Sequence, residues 1–345
     1  MKLTDKALLV QLNVSQWTAR KYDRKVTKDI LSQHGAKMGA GRFNKSLLPM
    51  NDYLDKVHKK TTAIRQKYYT NTLPWGIEGT QMLPSANYLN FMTKFRKEKA
   101  EWQLLVDTFL DNYLSLKEDA KRLLPNGLYN ENDYPAEDII HLKFNMDMAV
   151  FPVPSNDFRV SINDAELTNI QEDVERRVND AAACAMEDIW QRLYDRVKHM
   201  SDKLADPRSI FRDTMVENTR ELCALLPRLN FADDPNLETL RQDVEQSLSR
   251  HHPEALRNNP VLRKNTGDQA RAIMKKMEAF MGQHSKRGWT AGVSVFSLCD
   301  LDSMDSKTME TPPTQHRLCC ELEHFCGRKL PLDDLLNVNI RKHKL

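Results

Sequence analysis

The feature that most limits how this chain can fold is a pair of long amphipathic stretches, residues 88–123 and 167–204. In the first, Tyr88, Met92, Phe95, Lys99, Trp102, Val106, Phe109, Tyr113, Leu116, Ala120 and Leu123 recur in steps of four and three. All but Lys99 are apolar, and the spacing is the 3.5-residue repeat of a left-handed coiled coil. Neither proline nor glycine falls between Ser85 and Leu124, so nothing interrupts a helix of about 50 Å. Lys99 either snorkels at the seam edge or sets its register.

The second stretch opens with Asn163 and Glu166 at capping-box spacing. Its apolar line runs Leu167, Ile170, Val174, Val178, Ala181, Ala185, Ile189, Leu193, Val197, Met200, Leu204. The mean step of about 3.7 residues predicts a nearly straight helix. Ala181, Ala182, Ala183 and Ala185, with Cys184, allow a partner to approach closely. Asp206-Pro207 ends the stretch, with Pro207 placed to begin the next helix. Neither stripe is stable in water, so each needs a partner. The simplest solution is an antiparallel hairpin of the two; the other is a seam that pairs with a second copy of the chain.

Hydrophobic residues make up 40% of the sequence and charged residues 29%, which suits a helix-rich globular chain. No apolar run approaches the ~20 residues that span a bilayer. The N-terminus lacks the order of a signal peptide, because Gln11, Asn13 and Ser15 interrupt Leu8 to Val14. The six cysteines then read as reduced thiols in a cytoplasm. The net charge of +3 hides an asymmetry. Residues 1–99 hold 19 Lys and Arg against 7 Asp and Glu, a net of +12, and the remainder nets −9. A basic third of this kind attracts nucleic acid or an acidic protein surface, unless it lies against the chain's own acidic helices.

Leu8, Val10, Leu12 and Val14 alternate as a half-buried strand. Arg20, Lys21, Arg24, Lys25 and Lys28 follow, and then a glycine-rich loop, Gly35 to Ser46. Gly39 with Lys45 and Ser46 approaches a P-loop, but Asn44 stands where that motif needs glycine, and no buried strand precedes it. The loop reads instead as a flexible basic segment able to meet a phosphate backbone through its amides and Arg42 or Lys45. Arg20, Lys21, Arg24, Lys25, Arg42 and Lys45 are therefore the candidate nucleic-acid contacts.

Leu47 to Tyr69 reads as a helix. Leu73-Pro74-Trp75-Gly76 and Met82-Leu83-Pro84-Ser85 read as chain breaks, with Trp75 as a cover for the core rather than an exposed anchor. Pro125-Asn126-Gly127 marks a turn. Leu142, Phe144, Met146, Met148 and Val150 alternate as a strand, and Phe158, Val160 and Ile162 as another. With Leu8–Val14 they make a small sheet. Asp206-Pro207, Asp234-Pro235 and Asn259-Pro260 each place a capping residue before a helix-starting proline. Beyond Gly282 the chain reads as linker and tail. Cys299, Cys319, Cys320, Cys326, His316 and His324 in that tail lack zinc-ligand spacing, and no catalytic or cofactor-binding order is legible anywhere.

Several phrases resemble a family of uncharacterised bacteriophage and proteobacterial proteins known as a domain of unknown function. They are Gly41-Arg42-Phe43-Asn44-Lys45, Leu73-Pro74-Trp75, Leu83-Pro84 with Asn87-Tyr88, Asp157-Phe158-Arg159, and Phe211-Arg212-Asp213 leading to Leu225-Leu226-Pro227-Arg228-Leu229-Asn230. The family has no established activity to carry over. Its members are similar to proteins encoded beside MoxR-like AAA+ ATPases and cobaltochelatase-like von Willebrand A proteins. The resemblance implies a non-enzymatic component of an ATPase-driven assembly.

The expected fold is mainly α, with a long antiparallel helical hairpin, a small β-sheet at one end and a helical C-terminal lobe. The expected organisation is a basic N-terminal segment (1–86), a hairpin with a β insertion (87–206), a helical lobe (207–284) and a tail (285–345). The expected function is that of a non-enzymatic structural or adaptor protein with a protein partner. Nucleic-acid binding through the basic third is the alternative.

Overall fold

The computed structural model describes residues 2–125, 127–155, 164–206 and 208–285. The anticipated strand at 158–162, the Asn163 cap and the Cys/His-bearing tail lie outside them. The fold is mostly helical around a small antiparallel sheet. Strand β1 (Ala7–Ser15) is central, flanked by β5 (Thr80–Pro84) on one side and β6 (Asn145–Pro152) on the other, with β4 (Leu73–Pro74) beyond β5. Leu9 opposes Met82 of β5 and Phe151 of β6. A separate two-stranded ribbon joins β2 (Arg20–Tyr22) to β3 (Asn44–Ser46). Between them in sequence lies α1 (Arg24–Gln33).

Side chains on a strand alternate between its faces, and β1 uses both. Ala7 and Leu9 enter one hydrophobic cluster. Val10 enters another, with Leu12 and Val14 packed against it. The half-buried strand expected from Leu8–Val14 is thus buried on both sides over its first half. β5 repeats the division, Met82 facing one cluster and Leu83 the other. β4 and β5 replace two expected chain breaks. Their prolines sit where a sheet tolerates them, Pro74 in the edge strand and Pro84 at a strand end. Trp75 is buried, as a core cover should be. β6 starts at Asn145 rather than Leu142, because His141–Lys143 forms a 3-10 turn after α4 (Glu137–Ile140), which carries Ile140 into the core.

Both long helices form, α3 as Ser85–Leu123 and α5 as Asp164–Ala205. They do not zip together as the expected hairpin. The α3 seam, including Phe95, Trp102, Val106, Phe109 and Tyr113, is buried with α2 (Asp52–Asn71) on one side of the sheet. The α5 stripe, from Ala181 to Leu204, is buried in the other cluster. Its main partner is α9 (Pro260–Ser285). The reason is that β1 and β5 already present apolar side chains on both faces, and each face claims one long helix. Trp102 Nε1 donates to Thr61 Oγ1 at 2.8 Å across the α2–α3 contact, and Lys60 reaches Glu98 at 2.7 Å and Glu101 at 2.5 Å. Lys99 stands half-buried, 3.9 Å from Asp147 of β6. On the other side, a Cβ at Gly267 of α9 would stand 3.3 Å from Leu204 Cβ, so glycine permits the close crossing with α5.

The later helices are α6 (Thr214–Leu229), α7 (Pro235–Val244) and α8 (Pro253–Asn258). Asp234 caps α7 by accepting from Asn236 N and Leu237 N, and Asn259 Oδ1 accepts from Leu262 N at the start of α9. The Asp206-Pro207 signal behaves otherwise. The next helix begins at Thr214, and the intervening segment delivers Phe211 to the core. Asp206 Oδ1 closes a turn on Arg208 N at 2.9 Å. Pro227 lies inside α6 and lacks the N–H that Cys223 O would receive; Arg241 Nη1 donates to that carbonyl instead, at 3.4 Å.

One side chain spans the sheet's two sides. Arg192 of α5 donates from Nη1 to Thr70 O at 2.9 Å and from Nη2 to Thr72 O at 2.8 Å, at the α2–β4 junction. Its Nε stands 2.7 Å from Asp188 Oδ2, one helical turn earlier. Burial pushes the Asp188 carboxyl upward and the Arg192 guanidinium downward. A buried pair that loses one member leaves the other charge uncompensated. Arg192→Met is expected to lower unfolding free energy by about 3–5 kcal/mol, measured by urea titration; a change within ~0.5 kcal/mol, as for an ordinary surface site, counts against the clamp.

Candidate nucleic-acid interface

Residues 20–46 fold into a unit of ribbon and helix. β2 and β3 pair as Arg20↔Ser46, Lys21↔Lys45 and Tyr22↔Asn44, and Leu47 N donates to Ala19 O at 2.7 Å to extend the ribbon. Asp23 caps α1, its side chain accepting from Val26 N at 3.0 Å. Thr27 Oγ1 donates to Asp23 O and accepts from Phe43 N, tying the helix to the strand that follows. At the other end Gly35 adopts φ 64°, Gly35 N donates to Ser32 O and Ala36 N to Leu31 O. That is a Schellman C-cap, for which glycine is the favoured residue.

This geometry disposes of the P-loop likeness. A P-loop runs strand, loop, helix, with its amides at a helix N-terminus. Here the order is helix, loop, strand, and the first glycine closes a helix C-terminus. Lys45 lies in β3 and turns inward, 6% exposed. Its Nζ donates to Leu128 O at 2.6 Å and lies 2.8 Å from Asp133 Oδ2 and 3.6 Å from Asp23 Oδ2. Lys21, on the same ribbon face, meets Asp133 Oδ1 at 2.6 Å. Burial alone would raise the Asp133 pKa; hydrogen bonds and charge from Lys21 and Lys45 outweigh it and hold the carboxyl below its ordinary value. Both lysines therefore tie the ribbon to Asp133: Lys45 is buried and withdrawn from any surface role, while Lys21 keeps a half-exposed side chain.

The other four, Arg20, Arg24, Lys25 and Arg42, are exposed. So are Lys28 and Lys37. None of the six makes an ion pair among the described residues. Arg20 and Tyr22 share the outer face of β2, and the Arg42 guanidinium lies 5.2 Å over the Tyr22 ring. Arg24 and Lys25 occupy the first turn of α1, and Lys28 the next; no acidic residue stands in that first turn. Cations at a helix N-terminus oppose the helix dipole; the Asp23 cap beside them bonds Val26 N and lies 3.6 Å from Lys45 Nζ, and neither Arg24 nor Lys25 pairs with a carboxylate among the described residues. The exposed carboxylate in the unit is Asp29.

Sequence reasoning missed Asp133 and Tyr22. Asp133 lies 112 residues from Lys21, in a short 3-10 turn that no periodicity marks. Tyr22 sits amid basic residues and carries a visible signal, one step of strand alternation from Arg20. Among the described residues no group of three or more His, Cys, Asp or Glu is placed to hold a metal ion. Burial pushes the Cys223 thiol up to about 12, so it is a packing residue at neutral pH. No helix of the described residues is long and apolar enough to cross a membrane. No protein-family model, curated protein or solved structure matches the chain.

A carboxyl whose folded pKa is lowered adds stability above its unfolded value, and that stability is lost as pH falls through the folded value. The contribution of Asp133 is therefore complete above its ordinary value of 3.8 and declines as pH falls below it. Asp133→Asn is expected to lower the Tm at neutral pH and to shrink the gap between variant and wild type at low pH. A gap that stays constant from pH 7 to pH 3 contradicts the assignment.

Proposed function

We propose that this chain is a non-enzymatic binding protein whose β2–α1–β3 unit holds the phosphate backbone of nucleic acid. The observation that carries the reading is the sorting of the basic residues. Lys45, buried, and Lys21, half-exposed, both bond to Asp133 and brace the unit, while Arg20, Arg24, Lys25, Lys28 and Arg42 stand outward without carboxylate partners among the described residues. Tyr22 under Arg42 adds an aromatic face beside the cations, a combination suited to backbone contact with stacking of an unpaired base.

A second reading keeps the adaptor role. The first turns of α5 carry Leu167, Ile170 and Val174 half-exposed, before the stripe enters the core at Val178 and Ala181. That face suits a protein partner, and a MoxR-like AAA+ ATPase is the partner that the family resemblance proposes.

The test is fluorescence anisotropy of labelled single- and double-stranded DNA over a salt series. Wild-type affinity is expected to fall steeply with salt, by a log–log slope of about 0.9 per phosphate neutralised on a duplex. Arg20→Ala/Arg24→Ala/Lys25→Ala/Arg42→Ala is expected to reduce that slope by about one for each phosphate contact removed. No binding at low salt, or an unchanged slope in the variant, overturns the reading in favour of the adaptor.

A further inference from the structure

A second cationic site lies away from the basic third, where the end of α5 meets α8 and α9. Arg257, Arg263, Lys264 and Arg271 line a cleft of about 450 Å³ whose apolar wall includes Leu204 and Gly267. That volume falls within the ~300–1,000 Å³ of small-molecule sites. Three of the cations come from one face of α9, at positions 263, 264 and 271, on either side of Gly267. The glycine that lets α9 close on Leu204 thus sets the cleft wall.

Arg263 is the unusual member. It is 8% exposed and pairs with no carboxylate among the described residues. Its Nη2 donates to the carbonyls of Lys203, Asp206 and Ser209 at 2.8, 2.5 and 2.8 Å. Its guanidinium lies 5.4 Å from the centre of the Phe211 ring. Its Nε is buried with no acceptor among the described residues. Buried charges are normally paired. These carbonyl oxygens, one in the last turn of α5 and two in the segment after it, supply only partial negative charge, so the guanidinium beside the cleft is not neutralised by a carboxylate. Two of the remaining cations carry counter-ions: Arg257 meets Asp213 at 2.6 Å, and Arg271 pairs with Asp268. Lys264 has none among the described residues. Four cations face two carboxylates, an excess of two positive charges.

We propose that this cleft binds a small organic phosphate, its dianionic phosphate held by Lys264 and Arg271 above the Arg263 charge, and its carbon body against Leu204 and Gly267. An excess of two charges matches a phosphate dianion, and guanidinium forks match its oxygens. The site stands apart from the nucleic-acid reading, since none of its residues belongs to the β2–α1–β3 unit.

The test is isothermal titration of the full chain with inorganic phosphate, pyrophosphate and adenosine 5′-monophosphate, at ionic strength matched with sodium chloride. Saturable one-to-one binding is expected, with the nucleotide tighter than inorganic phosphate. Lys264→Ala/Arg271→Ala, both at exposed positions, is expected to weaken it at least tenfold without changing the melting profile by circular dichroism. Lys94→Ala/Lys97→Ala, at exposed positions of α3 outside both cationic regions, is expected to leave it unchanged, which separates this site from general surface charge. Absence of saturable binding by all three probes, or equal affinity in the Lys264/Arg271 variant, overturns the proposal. A nucleotide no tighter than inorganic phosphate overturns the role given to the apolar wall.

Discussion

The described structure depends on a sheet whose central strand is apolar on both faces, and on the guanidinium that crosses from one side to the other. Once β1 offers Ala7 and Leu9 to one cluster and Val10 to the other, neither long helix needs its counterpart. Each covers a sheet face and recruits a shorter helix to finish the burial, α2 for α3 and α9 for α5. Arg192 then ties α5 to the carbonyls of Thr70 and Thr72. Its charge is buried beside Asp188, so the contact is stabilising only while both partners remain. The geometry required of α5 relative to the α2–β4 junction is correspondingly narrow.

The same principle governs the candidate interface on a smaller scale. A buried lysine among Asp133, Asp23 and Leu128 O fixes the inner face of the β2–β3 ribbon. A strand alternates its side chains, so anchoring Lys21 and Lys45 inward obliges Arg20 and Tyr22 outward. The exposed charge is thus a consequence of the buried one. The Schellman cap at Gly35 and the Thr27 link to Phe43 hold α1 against this ribbon, and the first-turn cations of α1 stay on the solvent side. The cleft at α9 follows a different route to unpaired charge: a guanidinium held by carbonyls at a helix end rather than by a carboxylate.

Much of this was legible in residue spacing. The α3 seam names the buried face correctly through Met92, Phe95, Trp102, Val106, Phe109, Tyr113 and Ala120. The proline-linked caps at Asp234 and Asn259 mark true helix starts, because capping is local chemistry. Partner choice was not legible, since an apolar stripe states that it must be covered and not by what. β4 and β5 escaped because two and five residues carry too little alternation, and both end in proline. Of the candidate contacts, sequence identified the basic segment but not its two faces. That division rests on Asp133, which reaches Lys21 and Lys45 only through the fold.

On the proposed reading, the outward face of residues 20–46 is the surface that meets nucleic acid. Hydrogen–deuterium exchange of the full chain, with and without saturating DNA, tests it most directly. Slowed exchange is expected at the first turn of α1, in the Gly35–Phe43 loop and along β2, with α5 and α9 unchanged. Binding accompanied by protection at the start of α5 instead, with residues 20–46 exchanging as in the free protein, would contradict it.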